Sequence, residues 1–210
     1  QTDPIPGQDL HLTLDSKLQL EVYSAMKDVK KGAVIVSTPK GEILSIVSKP
    51  SFDPNLFTLG PSYLATNTAY PSIGSILIGN DQPLLDRAIS GTYPPGSTFK
   101  VVMAAGALQS KKIDASYVVN DQGKIQIGPY TYTNWYYTDY GKTEGEVGVV
   151  KALARSNDIF FYELAARMGL STLVSSASQM GVGKTTGIDL PGEAAGVLPD
   201  KKWKQKNVGE

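Results

Sequence analysis

The sequence predicts an α/β (α+β) fold, in which a helix packs on a β-hairpin and a mainly helical subdomain follows. Three observations carry this. Leu18, Val22, Ala25, Met26 and Val29 recur on one face of a helix over residues 15–29. Two apolar, β-branched runs come next, Ala33–Ser37 and Glu42–Val47, separated by Thr38-Pro39-Lys40-Gly41. Further on, helix-forming stretches dominate and the strand signals are short. The expected boundaries are 1–50 for helix and hairpin, 51–200 for the mainly helical subdomain, and 201–210 for a truncated end.

Each element has a local cause. Asp15 or Ser16 caps the first helix, and Lys30-Lys31-Gly32 ends it with cations and a glycine. The turn Thr38-Pro39-Lys40-Gly41 makes the two following runs a hairpin. From Pro50 to Thr92, recurrent Pro, Gly, Ser and Asn break any period, so this is loop with at most one short helix. A helix follows over 97–109. Residues 116–141 read as short strands rich in aromatics; Tyr130, Tyr132, Trp135, Tyr136, Tyr137 and Tyr140 predict a small hairpin with aromatic cross-strand pairs. Val147–Met168 is mostly helical, interrupted at Ser156-Asn157-Asp158, and Ser171–Met180 is a further helix closed by Gly181.

Composition removes several classes of function. Twenty acidic and twenty basic residues cancel, so nothing points to nucleic acid or to an anionic membrane surface. The longest basic cluster, Lys201–Lys206, reads as a solvated face or a cut loop. There is no cysteine, which excludes disulfides and thiolate metal sites. His11 is the only histidine and lies in a strand-like alternation over Leu10–Leu14; it reads as structural, and a histidine-based zinc site lacks ligands. The chain opens at Gln1-Thr2-Asp3-Pro4 with no initiator methionine, signal peptide or membrane span, as an excised piece would.

The chemistry centres on Ser97-Thr98-Phe99-Lys100. Tyr93-Pro94-Pro95-Gly96 stops the preceding segment and an apolar helical run follows, so Ser97 is expected in a first helical turn. Residues three apart share a helix face, which brings Lys100 beside Ser97. A serine is a weak nucleophile until a base takes its proton, and an amine held by burial or by nearby charge in its neutral form is such a base. Free N–H groups of a first turn would face a developing oxyanion. A second cluster, Ser156-Asn157-Asp158, has the residue types of a helix N-cap.

Together with their flanks these motifs resemble class B penicillin-binding proteins, the transpeptidases that cross-link bacterial peptidoglycan. The resemblance rests on Asp86–Lys100, on Leu12–Gln19, on Gly32–Val36 with Gly41–Asn55, and on Gly187–Glu193, four segments in order. It implies a β-lactamase/transpeptidase-like serine acyltransferase fold, here the N-terminal part of one domain. It also implies Ser97 as nucleophile, Lys100 as base, Ser156 as proton relay and Asp158 as a support for both, with Asn157 and Thr98 at the substrate. Asp158 stands where many members have Asn.

The family's third motif, Lys-Thr-Gly or Lys-Ser-Gly, does not occur. Lys142-Thr143-Glu144-Gly145 and Lys184-Thr185-Thr186-Gly187 only approximate it, and Gly183-Lys184-Thr185 lacks the first glycine of a phosphate-binding loop. The resemblance further implies peptidoglycan stem peptides as substrate, β-lactams as acylating mimics, a membrane glycosyltransferase as partner, and the outer face of the bacterial cytoplasmic membrane as location. It implies no metal or organic cofactor. With strands missing, the chain is expected to be weak or inactive alone, or to oligomerise by strand exchange. A β-lactam sensor or β-lactamase, and a non-catalytic cell-wall scaffold, are the rival readings.

Overall fold

The computed structural model describes residues 7–60, 62–67 and 69–209. The chain's opening residues, Gln1–Pro6, and Glu210 lie outside the described residues. Two compact units are present: Gln1–Gly91 with Leu190–Ala194, and Thr92–Asp189 with Ala195–Glu210.

In the first unit, α1 (Ser16–Ala25) is capped by the Asp15 carboxylate, which accepts from the Lys17 and Leu18 N–H groups. The helix stops earlier than the pattern predicts. The Met26 carbonyl is taken by Lys49 Nζ at 2.7 Å and by the Val29 N–H at 3.0 Å, so the chain turns there. Gly32 therefore does not close the helix but opens β1 (Gly32–Ser37). Of the predicted apolar face only Met26 is buried, and Val29 is exposed.

β1 pairs antiparallel with β2 (Ile43–Lys49), with Val34 opposite Val47 and Ile35 opposite Ile46. The far edge of β2 is largely occupied. The Asp15 N–H donates to Leu44 O at 2.9 Å, and Thr13 Oγ1 donates to Ile43 O. The Gln19 side chain then imitates a strand: it donates to Ile46 O at 2.8 Å and accepts from Ile46 N–H at 2.9 Å. An amide carries the same donor and acceptor as a peptide group, so one side chain satisfies both. The Leu10–Leu14 alternation forms no strand, and Leu10, His11 and Leu12 are exposed.

The loop-rich stretch contains a 3₁₀ turn (Pro54–Phe57) and α2 (Ile73–Leu77) around a small core of Leu56, Tyr70 and Ile76. Asp53 gathers this loop, accepting from Tyr63 Oη at 2.8 Å, Thr66 Oγ1 at 2.9 Å, and the N–H groups of Asn55 and Thr66. Four donors hold its carboxyl far below the usual carboxylate range, the Thr66 N–H most strongly.

The second unit carries a 3₁₀ turn (Gly96–Thr98), α3 (Phe99–Gln109), β3 (Val118–Asp121), β4 (Lys124–Ile127), β5 (Tyr130–Thr133), α4 (Trp135–Tyr140), β6 (Gly145–Gly148), α5 (Val149–Ala154), α6 (Asp158–Gln179) and α7 (Lys201–Val208). β3 pairs with β6 and β4 with β5, both antiparallel. The core joins Ala104 and Ala107 of α3, Val119, Val147, Ala152 and, from α6, Ile159, Phe160, Phe161, Leu164 and Met168.

α3 lies close against α6 because position 106 has no side chain. A Cβ on Gly106 would stand 2.5 Å from Ser176 Cβ. Gly169, at φ 72°, breaks α6 where the sequence separates two helices. The aromatic expectation needs correction. Tyr130 and Tyr132 face Ile127 and Ile125 across the hairpin, while Trp135, Tyr136 and Tyr140 lie on α4 and pack tilted or edge-to-face on one another. The basic cluster Lys201–Lys206 forms an exposed helix capped by Asp200. Gly183-Lys184-Thr185 lies in a turn and loop that does not open a helix.

Candidate active site

Ser97 sits in the 3₁₀ turn that leads into α3, exposed, with Gly96 before it at φ +56°. That backbone conformation suits glycine, so Gly96 lets the chain turn sharply into the helix. Lys100 lies one turn on, its side chain only 11% exposed. Its ammonium donates to Ser156 Oγ at 3.1 Å, Ser156 O at 2.8 Å and Asp158 Oδ1 at 2.5 Å. Ser156 Oγ in turn donates to Ser97 Oγ at 2.9 Å. The structure thus brings Ser97, Lys100, Ser156 and Asp158 together. It links Lys100 to Ser97 through Ser156, not directly. The Phe161 ring faces the ammonium at 5.5 Å.

Ser156 is held by the end of α5. Its N–H donates to Leu153 O at 3.2 Å, and the Asn157 N–H donates to Ala152 O at 2.9 Å. This pair of bonds closes a helix whose next residue is left-handed, a position that glycine usually fills. Here a serine fills it, at φ +51°. The strain turns both the Ser156 hydroxyl and its carbonyl toward Lys100.

Of the two residues expected at the substrate, Asn157 is turned inward and the Thr98 hydroxyl is engaged in its own turn. Asn157 is fully buried; its side chain caps α6, accepting from the Phe160 N–H at 2.9 Å, and donates to Asp121 Oδ2 at 2.7 Å. Both ends of its amide are used inside the protein. Thr98 is exposed, but its hydroxyl turns back to donate to Pro95 O, holding the turn before the helix. Glu144, in the false third motif, is bound by Arg155 Nε at 2.8 Å.

Sequence reasoning missed Asp121 and Asn134. Asp121 is 1% exposed and Asn134 fully buried. Asp121 Oδ1 accepts from the Gly123 N–H at 2.6 Å, and Oδ2 accepts from Asn134 Nδ2 at 2.8 Å. Asn134 Oδ1 accepts from the Asp158 N–H at 3.2 Å. Their only sequence signals are Asp121-Gln122-Gly123 as a turn and Asn134 before a helix, which mark structure and not burial. Tyr162, near Asp158, has its phenol pushed up by burial and then by the charges of Asp158 and Tyr132, so it stays neutral and is no base. Among the described residues no group of three or more His, Cys, Asp or Glu is placed to hold a metal, and no helix is long and apolar enough to cross a membrane.

A serine hydroxyl, a second hydroxyl and an amine in series is an arrangement suited to activating a serine as a nucleophile. Comparison with known proteins gives the family. The family model for the penicillin binding protein transpeptidase domain matches residues 31–210. The peptidoglycan D,D-transpeptidase MrdA of Acinetobacter baumannii is 37% identical over 207 residues, covering 97% of this chain and 29% of that protein. The Escherichia coli K12 MrdA is 35% identical over 209 residues, covering 98% and 31%. The chain therefore spans under a third of these relatives.

Among solved structures, Pseudomonas aeruginosa PBP2 in complex with WCK 5153 matches with a TM-score of 0.81 at 35% identity, over 99% of this chain and 45% of that one. Helicobacter pylori PBP2 in complex with MreC matches at 0.80 and 27%, over 94% and 35%. A peptidoglycan synthase complex that coordinates polymerization and crosslinking matches at 0.80 and 29%, over 98% and 37%.

Proposed function

Because the chain belongs to the penicillin-binding-protein transpeptidase family, we propose that the full-length protein is a peptidoglycan D,D-transpeptidase whose nucleophile is Ser97. The observation that carries this is the series Lys100 Nζ, Ser156 Oγ, Ser97 Oγ, with hydrogen bonds of 3.1 and 2.9 Å.

In the state described, the ammonium of Lys100 spends its three N–H groups on Ser156 and Asp158. To act as base, Nζ first releases a proton, and Asp158 Oδ1 is its nearest acceptor. The Ser97 proton then passes to Ser156 Oγ as the Ser156 proton passes to Nζ. Ser97 Oγ bonds to the carbonyl carbon of the penultimate D-alanine, the amide C–N bond breaks, and D-alanine leaves with a proton returned along the same series. An amine of a neighbouring stem peptide next attacks the ester, and Ser97 regains its proton. A β-lactam enters at the first step. Asp158 orients Lys100, and Asn157 and Thr98 act on the substrate only through the turns they hold.

By the family resemblance the protein works beside a membrane glycosyltransferase on the outer face of the cytoplasmic membrane, and by analogy with its structural neighbours it joins a peptidoglycan synthase complex and an MreC-like partner. The Lys-Thr-Gly motif does not occur in these 210 residues, so turnover is assigned to the full-length protein. The test is labelling with a fluorescent penicillin. The full-length protein should take up one label and keep it, and Ser97→Ala should take up none. Rapid release of the label would identify a β-lactamase, and labelling of Ser97→Ala would end the reading.

A further inference from the structure

Asp121 is a carboxylate with almost no exposure and, among the described residues, no cation paired with it. Three donors meet its two oxygens instead: the Gly123 N–H, Asn134 Nδ2 and Asn157 Nδ2, at 2.6, 2.8 and 2.7 Å. Only a carboxylate accepts at both ends, so an amide at this position would set its own N–H₂ against a donor whichever way it turned.

The two asparagines each have a second duty. Asn157 Oδ1 caps α6 at the Phe160 N–H, and Asn134 Oδ1 takes the Asp158 N–H. Each side-chain amide could turn over by half a turn, which would put its nitrogen where its oxygen now accepts. By accepting from both nitrogens, Asp121 sets both amides so that their oxygens face the turn. The residues on either side of Asn157 are Ser156 and Asp158, the two that hold Lys100. Ser156 is there in a left-handed conformation that needs support from its surroundings.

We propose that Asp121 is a positioning residue for acyl transfer: acting through Asn134 and Asn157, it fixes the Ser156–Asp158 turn and so the Ser156 hydroxyl and Asp158 carboxylate around Lys100. This rests on the transpeptidase reading above. It touches no substrate, and its effect is on the geometry of the relay. Reaching Ser156 from β3 requires no contact with Ser97 or with the substrate, so binding and chemistry should separate.

The experiment is the acylation of the full-length protein by penicillin, resolved into a non-covalent dissociation constant and an acylation rate constant, with thermal melting of each variant. Asp121→Asn should lower the acylation rate constant about 10- to 100-fold, the range for a small misplacement of reacting groups, with little change in the dissociation constant. Exchanging the pair, Asp121→Asn with Asn157→Asp, restores one donor facing one acceptor at the same net charge and should recover part of the loss. Asn134→Ala keeps Asp121 but removes the acceptor for the Asp158 N–H, and should also slow acylation.

An Asp121→Asn protein that melts like wild type and acylates at the wild-type rate overturns the proposal. So does a loss confined to the dissociation constant. Where Asp121→Asn does not fold, Asn134→Ala decides by the same two criteria; if neither folds, the carboxylate holds the fold and not the turn, and the proposal fails. If the wild-type protein takes no label, the transpeptidase reading itself fails, and the positioning role falls with it.

Discussion

Ser156 Oγ lies 2.9 Å from Ser97 Oγ, although 59 positions separate the two residues. Ser97 enters the site from the turn before α3, and Ser156 from a left-handed residue between α5 and α6. This contact therefore depends on the packing of α3 on α6 and on a strained backbone at one serine.

That strain predicts an opposition between stability and activity. Ser156→Gly removes the penalty of a side chain at φ +51° and should stabilise the backbone by about 1 kcal/mol. It also removes the hydroxyl proposed as the proton relay, and should slow acylation about 100-fold or more. Urea denaturation and penicillin labelling of the same variant check both. A variant less stable than wild type would show that the serine's hydrogen bonds outweigh its backbone strain.

Gly106→Ala should destabilise the second unit by roughly 1–3 kcal/mol, because the new Cβ stands 2.5 Å from Ser176 Cβ and 2.7 Å from its Oγ. Combining it with Ser176→Gly relieves the clash and should recover part of the loss. Equal melting of Gly106→Ala and wild type would mean that the α3–α6 contact gives way easily.

Asp53 predicts an acid limb of stability. Its carboxyl is depressed by the Thr66 N–H, then by Tyr63 and its other donors. A depressed acid stabilises the fold above the ordinary carboxylate value and loses that contribution as pH falls from about 4 toward its own value. Stability of the wild-type protein should fall with acid over this window, and Asp53→Asn should lower stability at neutral pH while flattening the acid dependence. An unchanged slope in Asp53→Asn would assign the acid limb to other carboxylates.

The 210-residue chain on its own should react with penicillin about 100-fold or more slowly than the full-length protein. The resemblance to the family implies that the third motif supplies an oxyanion donor, and one such donor is worth about that much. Labelling time courses of the two proteins compare them directly. Stoichiometric labelling at the full-length rate by a monomer of the chain would remove the need for the third motif.

The elements were legible wherever a signal is local. Asp15 as a cap, the two strands around Thr38–Gly41, and the pause at Ser156-Asn157-Asp158 follow from residue type and short spacing. The spacing of Ser97 and Lys100 does not by itself join them: Lys100 bonds Ser156 and Asp158, and Ser156 bonds Ser97. Local signals failed where a distant group intervened. Lys49 takes the Met26 carbonyl and α1 ends early; the aromatic run after Tyr132 becomes a helix, not a strand.

What the sequence alone determined is the pair of motifs, their order and the class of chemistry that a serine three residues before a lysine supports. Tertiary structure decided the rest: that Lys100 reaches Ser97 by way of Ser156, that Asn157 points inward, and that Asp121 and Asn134 stand behind the turn. Each of these depends on burial and on hydrogen bonds between segments far apart in the chain. An Asn reads the same in sequence whether it faces solvent or a buried carboxylate, and only packing settles which donor meets which acceptor.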